Sequence, residues 1–301
     1  MKRPPEIEEK LVANARELKN KIRSVNNTKK ITRTMEMIST AKAVVCQKRI
    51  EQSQPYGDKL CEILKDLGGA GGNAESGEFP LLRKPEASRR EALFVVTANR
   101  GLCGGYNTNV LKKAEQFIAE KKKDGVEVDA YVLGKKGIAR FRYLGLEVAG
   151  KFTQFEDKPT FEEAEEVFEP VMKKFENGEI DGVSLVFTHY EASSRQSPVL
   201  RKLLPLEVSE ESEGGSTDFI LEPNPEMILG RLLPLSLKMQ FFQALVEAAA
   251  GEQIARRIAM KNATDNAEDM AKTYTQLYNR TRQASITQEI LEVIGGVEVM
   301  S

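Results

Sequence analysis

The sequence predicts an α/β fold with unusually long helices, in which an antiparallel coiled coil of the N- and C-terminal helices is joined to a Rossmann-like α/β domain. Helical periodicity extends through residues 6–65 and returns from Pro225 almost to the last residue. Between these stretches, short β-prone apolar runs alternate with helical stretches, which is typical of an α/β domain. With 301 residues, 41% hydrophobic and 30% charged, the chain can bury a core and has the composition of a soluble, helix-rich protein.

The charge balance and the cysteine content exclude several classes of protein. Lysine and arginine total 44 and aspartate and glutamate 45, so the overall charge indicates neither nucleic acid nor an anionic membrane as a partner. No apolar run approaches the roughly 18 to 20 residues that cross a bilayer, and no signal peptide is present, so we expect a cytosolic chain. Cys46, Cys61 and Cys103 lack the spacing of metal ligands, and we expect plain thiols.

The first long helix is predicted over residues 1–66. Its apolar side chains recur at helical intervals, at Leu18, Ile22, Val25, Met35, Ile38 and Val45. At about 1.5 Å per residue, a helix of roughly 50 to 60 residues spans on the order of 75 to 90 Å, so much of it must project from a compact domain. A bend is expected near Pro55, and the Gly-rich composition within 67–90 predicts a flexible linker.

Residues 91–223 are predicted to form the α/β domain. The β-prone runs are Ala92–Thr97, Val126–Leu133 and Val183–Thr188, and helices are expected near 107–123, 135–143 and 160–177. Further edge strands are expected at Val199–Val208 and Thr217–Leu221, with a mobile loop at 209–216.

The second long helix is predicted over residues 224–301. Small and apolar side chains repeat in it at alternating spacings of four and three, which is typical of a coiled-coil seam; they are Ala263, Ala267, Met270, Tyr274, Leu277, Thr281 and Ala284. Pro234 is expected to kink the helix or to mark its start. Because the seam needs a partner and the N-terminal helix is the only other long helix predicted, the sequence favours an intramolecular antiparallel pair.

The loop after the first predicted strand is the strongest candidate for a nucleotide site. It extends from Asn99 to Asn107 between a strand and a helix, where phosphate-binding loops occur. Its glycines follow G-x-x-G-G rather than the dinucleotide pattern G-x-G-x-x-G, which favours a tight structural turn. The alternative function is therefore a nucleotide-binding α/β enzyme with a coiled-coil extension, in which Gly101 and Gly104 contribute to ATP binding.

Three further patterns are interpreted as structural. Gly145–Lys151 matches G-x-x-x-x-G-K, but Phe152 stands where Ser or Thr must hold magnesium, so the match is attributed to chance. His189, the only histidine, has nearby serines but no G-x-S-x-G motif, which favours a structural or solvent-facing role. The carboxylates within 162–169 are interpreted as the solvated face of an amphipathic helix.

The N-terminal fifty residues are strongly basic. Residues 1–50 hold 13 Lys or Arg residues and 5 Asp or Glu residues. A coiled-coil scaffold for nucleic acid is therefore a third possible function, which predicts salt-sensitive binding. Since no aromatic side chains are interleaved and the whole chain is not basic, an acidic protein partner is favoured.

Both ends of the chain carry sequence segments of one known family. Residues 18–43, LKNKIRSVNNTKKITRTMEMISTAKA, resemble the N-terminal helix of the gamma subunits of F-type ATP synthases. Residues 255–267, ARRIAMKNATDNA, and 279–290, NRTRQASITQEI, resemble the C-terminal helix of the same family. The Arg100–Asn107 loop is similar to the bacterial form, so the resemblance covers essentially the whole chain in the right order.

The resemblance implies a central-stalk rotor without catalytic residues, metal or cofactor of its own. Such a subunit couples proton translocation and rotation of the membrane c-ring to ATP synthesis or hydrolysis in the beta subunits. Its implied partners are three alpha and three beta subunits per gamma, the epsilon subunit and the c-ring. The implied location is peripheral, on the cytoplasmic side of the cell membrane.

The resemblance also assigns roles to residues of both helices. Those that would bind the catch loop of a beta subunit are Arg282, Gln283 and Thr287. The apolar tip that would turn in the sleeve of the catalytic head consists of Ile290, Leu291, Val293 and Ile294. A basic collar that would face the acidic lever segments of the beta subunits consists of Lys29, Lys30, Arg33 and Met35.

Overall fold

The computed structural model describes residues 6–70, 79–83, 85, 87–192, 195–206 and 225–300. It contains two long helices, three shorter ones, a short 3₁₀ helix at Pro80–Leu82 and one five-stranded sheet. The helices are α1 (Glu6–Ala70), α2 (Tyr106–Lys123), α3 (Lys135–Tyr143), α4 (Phe161–Glu176) and α5 (Pro225–Met300). The strands are β1 (Arg90–Val96), β2 (Glu127–Leu133), β3 (Gly150–Phe152), β4 (Gly182–Ala192) and β5 (Arg195–Leu204). The predicted fold class is confirmed.

The sheet has the strand order β3-β2-β1-β4-β5. Strands β1 to β4 are parallel, and β5 pairs antiparallel with β4 as a hairpin at one edge. β1 lies at the centre, with Phe94 paired to Tyr131 on one side and to Leu185 on the other. Both faces of β1 are buried, which explains its continuous apolar run.

Two hydrophobic clusters cover the two faces of the sheet. On one face, side chains of α2 and α3 pack against alternate residues of β1 and β2. On the other face, α4 and the first part of α5 form the larger cluster, at whose centre Phe94, Phe168 and Phe241 are fully buried. α4 is fixed at its start by a capping box, in which Thr160 and Glu163 exchange hydrogen bonds. The start of α5 is therefore part of the core of the α/β domain.

The described residues form two compact units. One consists of residues up to Ile38 together with those from Arg257 onward, and the other is Ser39–Arg256. In the first unit α1 and α5 are antiparallel, since Lys29 meets Glu268 and Thr32 meets Thr264. In the second unit the start of α5 lies on the sheet, and the end of α1 contributes Leu64 to the same cluster.

The seam of α5 differs from the predicted one at alternate positions. Ala267, Tyr274 and Thr281 face inward as predicted, but Met270 and Leu277 are each 47% exposed. The inward positions between them are Thr264, Ala271, Tyr278 and Ser285. The 4-3 spacing is therefore retained, but polar and small residues take the inward positions where the sequence favoured larger apolar ones, with Thr264 buried and the others half-buried.

Most predicted elements of the α/β domain are confirmed, and the differences lie at its edges. The edge strand predicted at Val199–Val208 is instead Arg195–Leu204, because its pairing with β4 begins next to the hairpin turn. Pro234 does not mark the start of α5, which begins at Pro225. The strand predicted at Thr217–Leu221 and the loop at 209–216 lie outside the described residues, and the division of the chain into four segments stays a prediction. None of the described helices has a stretch long and apolar enough to span a bilayer.

Candidate functional site

The residues assigned to the beta catch loop lie on the surface of α5. Arg282 and Gln283 are exposed, and neither has an ion-pair or hydrogen-bond partner for its side chain among the described residues. Thr287 is also exposed, and its hydroxyl donates to the Gln283 carbonyl over 2.9 Å. The structure therefore brings these three residues together on adjacent turns, with a cation and an amide available to a partner.

The residues assigned to the apolar tip are also uncovered. Ile290, Leu291, Val293 and Ile294 are 53%, 64%, 67% and 58% exposed. A row of four large aliphatic side chains around the helix is more apolar surface than one helix of a monomer normally presents to water. This end of α5 has the chemistry of a surface that another protein covers.

The predicted basic collar divides into paired and unpaired residues. Lys29 lies at an inward position of α1, and its ammonium is 2.9 Å from the carboxylate of Glu268 on α5. That hydrogen bond lowers the pKa of Glu268. Lys30 and Arg33 are exposed and have no partner among the described residues, while Met35 is half-buried.

Sequence reasoning missed an apolar stripe on α1 beside the collar. Ile31, Met37 and Ile38 are 61%, 59% and 51% exposed. Ile31 and Ile38 are seven residues apart and therefore share one face of the helix, outside the seam. The heptad spacing was the signal in the sequence, but Ile38 served there only as one of the periodic apolar positions that predicted the helix.

The loop after β1 is bound by the chain's own helix α5. The guanidinium of Arg256 donates to the carbonyls of Gly101 and Arg100 over 3.4 to 3.5 Å. The hydroxyl of Tyr106 donates to the Ala248 carbonyl over 3.1 Å. Carbonyls of the loop therefore accept bonds from a cation, whereas a phosphate loop presents its amides to an anion.

The position of this loop explains its resemblance to a nucleotide loop. In doubly wound sheets, ligands bind beyond the carboxyl ends of the strands, where the strand order reverses. Here that position is closed by a small apolar cluster that joins the loop to α5 and consists of Ala98, Cys103, Tyr106 and Ala255. The geometry supports the tight structural turn that the glycine spacing favoured.

A buried ion pair reinforces this contact. Within α5, Oε1 of Glu252 lies 2.7 Å from Nη2 of Arg256, one turn further along the helix. The Arg256 side chain is only 8% exposed. Burial raises the pKa of Glu252, while the adjacent Arg256 opposes that rise. The pair serves to fix α5 against the loop, because the guanidinium needs both the carboxylate and the loop carbonyls to satisfy its donors.

The remaining candidate groups have structural partners. His189 and the backbone N–H of Tyr190 both contact the carboxylate of Glu247 on α5. Glu165 and Glu169 of α4 bind Lys238 over 2.7 and 3.3 Å. Among the described residues, no group of three or more His, Cys, Asp or Glu side chains is placed to hold a metal ion.

Comparisons with known proteins identify the family. The family model described as ATP synthase matches residues 14–300. The chain is 42% identical to the ATP synthase gamma chain of Leptospira biflexa serovar Patoc over 292 residues, which is 96% of this chain and 100% of that one. It is 41% identical to the ATP synthase gamma chain of Gemmatimonas aurantiaca over 291 residues, with 96% and 99% covered.

The fold is also shared with a solved structure. A chain in the cryo-EM structure of OSCP, F1 and the c-ring of Euglena gracilis mitochondrial ATP synthase, in rotational state 3, gives a TM-score of 0.67. The two chains are 17% identical, and the match covers 96% of this chain and 95% of that one. The family itself follows from the match of the ATP synthase model to residues 14–300 and from the 41–42% identity to gamma chains over 96% of this chain. The chain belongs to the ATP synthase gamma chain family.

Proposed function

We propose that this chain is the non-catalytic rotor of the central stalk, which couples rotation of the c-ring to ATP synthesis and hydrolysis in the beta subunits. The observation that carries the proposal is the contrast along α5. Phe241 of this helix is fully buried on the sheet, whereas Ile290, Leu291, Val293 and Ile294 are more than half exposed. A helix with one anchored end and one bare apolar end fits a shaft whose tip another protein surrounds.

The proposed partners follow from the relatives. The similar Euglena gracilis chain comes from an assembly of OSCP, F1 and the c-ring. For this chain we propose three alpha and three beta subunits around the helix pair, with the c-ring and the epsilon subunit against the α/β unit. In that assembly the chain would be peripheral, on the cytoplasmic side of the membrane.

The chemistry of the two exposed surfaces suits rotation. Apolar contact at the tip has no directional bonds to break when the helix turns. Charge attraction falls off slowly with distance, so Lys30 and Arg33 can follow acidic lever segments through a range of angles, which short hydrogen bonds cannot. Lys29 is already neutralised by Glu268, so in the proposed collar it would mainly fix the helix pair.

The proposed mechanism also requires an asymmetric surface. A rotor can impose different conformations on three identical subunits only if it makes different contacts with each of them. Arg282 and Gln283 provide such a contact on one side of α5, where we propose that they bind the catch loop of a single beta subunit with Thr287.

The first test is assembly. The purified chain, mixed with alpha and beta subunits, is expected to form a complex with one copy for every three of each, measured by native mass spectrometry. A chain that forms no such complex would contradict the proposed function.

The second test separates the residue assignment from the function. The double variant Arg282→Ala/Gln283→Ala is expected to lower the torque of the assembled motor, measured by single-molecule rotation. The matched control is Asn279→Ala/Arg280→Ala, which removes another exposed arginine from a different face of the same helix. Equal torque in both variants would refute the catch-loop assignment and leave the rotor function standing.

A further inference from the structure

The segment between β3 and α4 is held to the sheet by one asparagine. The side-chain amide of Asn99, in the loop after β1, donates to the carbonyls of Thr153 and Phe155 over 3.1 and 2.8 Å. The other atom of that amide group, the oxygen, accepts from the backbone N–H of Lys135 over 3.0 Å. The segment is therefore tied at once to the ends of β1 and β2.

The same segment is held on its other side by both long helices. Asp157 forms an ion pair through Oδ2 with Lys42 of α1, and its Oδ1 accepts from Nε2 of Gln253 on α5 over 2.6 Å. The thiol of Cys46 donates to the Asp157 carbonyl over 3.4 Å. Arg49 of α1 donates to the Pro159 carbonyl over 2.9 Å. All of these residues lie within the Ser39–Arg256 unit.

The two oxygens of Asp157 thus serve two different helices. Any slip of α1 past α5, or of either helix past the segment, must break one of these bonds. A charge-assisted hydrogen bond has a narrow range of distance and angle, so it fixes a register that apolar contact does not. Gln253 is only 2% exposed, so water is poorly placed to replace its bond.

Packing alone does not fix α1 at this level. The buried residues that join α1 to α5 here are small, with Cys46 against Ala249 and Ala250, and the larger side chains beside them, Ile50 and Tyr190, are only partly buried. Small side chains allow close approach but interdigitate little, and they resist sliding weakly. α5 is anchored in the aromatic core and α1 reaches the same core further along, at Leu64, but at Lys42 and Cys46 α1 is tied to the rest of the unit through Asp157.

We propose that Asp157 is a positioning residue that locks both long helices to the loops of the sheet, so that torque entering the α/β unit reaches α1 and α5 together. This inference rests on the proposed rotor function. It assigns a mechanical role to a side chain that contacts no nucleotide and lies on neither of the surfaces proposed for the beta subunits.

The test compares two broken ion pairs in the assembled ATP synthase. Asp157→Ala removes the proposed lock. The matched control is Glu115→Ala, which breaks the ion pair of Glu115 with Arg140 between α2 and α3. The side chains of that pair are 29% and 41% exposed, close to the 31% and 38% of Asp157 and Lys42. With the head immobilised, a bead on the α/β unit, attached through Lys122→Cys, reports the thermal spread of the rotor angle.

Asp157→Ala is expected to broaden the angular distribution, and amide exchange in residues 153–159 is expected to accelerate about tenfold or more. Glu115→Ala is expected to leave both unchanged. Asp157→Asn keeps an oxygen that can accept from Gln253, so its angular spread and its amide exchange should lie between those of the wild type and of Asp157→Ala. Lys42→Ala is expected to add nothing to Asp157→Ala, because both act through the same bond.

Other outcomes would overturn the proposal. An angular distribution of Asp157→Ala equal to that of Glu115→Ala refutes the lock and leaves the rotor function untouched, since the wild-type complex still assembles and turns. If Asp157→Ala does not assemble, Lys42→Met decides, because it removes the α1 bond alone. An unchanged angular spread in Lys42→Met then refutes the proposal. Failure of the wild-type chain to assemble contradicts the rotor function instead.

Discussion

Phe241 is the aromatic side chain through which α5 enters the core of the α/β unit. Its ring is fully buried, stacks on Phe168 with centroids 5.0 Å apart, and lies 4.9 Å from the ring of Phe94. Truncation of a buried phenylalanine to alanine costs about 3–5 kcal/mol in total, and the two aromatic pairs of Phe241 place it in the upper part of that range. Phe241→Ala is therefore expected to reduce the free energy of unfolding of this unit by about 4–5 kcal/mol.

The neighbouring Phe242 provides the control. It is only half-buried and meets Phe161 edge-on with centroids 5.9 Å apart, so Phe242→Ala is expected to cost about 1–2 kcal/mol. Because both variants place alanine at adjacent interior positions of one helix, helix propensity changes equally in the two.

Amide exchange of β1, the central strand, measures the effect on this unit alone. These amides should open only when the sheet unfolds, so Phe241→Ala is expected to accelerate their exchange about a thousandfold, and Phe242→Ala about tenfold. Equal acceleration in the two variants would refute the reasoning that α5 is anchored through the aromatic cluster.

Three further predictions follow from local geometry. Gly134→Ala is expected to cost more than about 3 kcal/mol of unfolding free energy in urea titration, because the new Cβ would lie 2.1 Å from a backbone carbonyl at the end of β1. Gly125→Ala, which also has a positive φ (76°) but has no atom near its new Cβ, should cost about 1–2 kcal/mol. The double variant Thr32→Val/Thr264→Val is expected to change the melting temperature little, since it removes both partners of one buried 2.8 Å hydrogen bond together. Burial raises the pKa of the Cys46 thiol to about 11, so at pH 8 only about a thousandth is thiolate and Ellman's reagent should modify it slowly until the chain unfolds.

Each of these has a distinct contrary outcome. Similar costs for Gly134→Ala and Gly125→Ala would mean that the turn relaxes around the new methyl group. A double threonine variant that melts well below wild type would mean that the hydroxyl pair, rather than its packing, stabilises the helix pair. Modification of Cys46 as fast as that of the partly exposed Cys61 would contradict its burial.

The elements of the fold that are buried and long enough to show a pattern could be predicted from the sequence. The short strand and the edge strand could not. β1 is buried on both faces, so its residues form a continuous apolar run that is visible without a structure. β3 has only three residues, too few for any periodicity, and it was missed. β5 begins at Arg195 with polar residues, because its start is set by pairing with β4 rather than by hydrophobicity.

The long helices were predicted, but the residues predicted to face inward on α5 were correct only at alternate positions. Two adjacent heptad rows run along α5, and the sequence favoured the more apolar row, with Met270 and Leu277, over the row with Ala271 and Tyr278. Which row is buried depends on the partner helix. Polar layers such as Thr32 with Thr264 occupy the seam in place of larger apolar side chains. Exposed apolar residues then remain on the outer faces, where a partner protein can bind them.

Long-range pairs were beyond sequence reasoning. Asp157 is 115 residues from Lys42 and 96 from Gln253, and nothing in a single sequence indicates which acidic side chain of a loop will meet them. The same holds for Lys29, whose assignment to a basic collar could not anticipate Glu268 across the helix pair. The residues assigned to the tip come from a resemblance of sequence, which carries over positions on one continuous helix, and their role stays a prediction.

The contact of α5 with the loop after β1 decides between the rotor and the nucleotide-binding enzyme. The loop offers glycines at the place where doubly wound sheets bind ligands, but Arg256 and Tyr106 already use that place to hold α5. A nucleotide could enter only if the helix left, which would break the bonds of Arg256 to the loop carbonyls and of Tyr106 to the Ala248 carbonyl. Each buried hydrogen-bonding group left without a partner costs about 1–3 kcal/mol, so the loss of these bonds together would be comparable to a large part of the stability of a domain. Anchoring of α5 and nucleotide binding at this loop are therefore mutually exclusive, and the packed geometry favours the anchor.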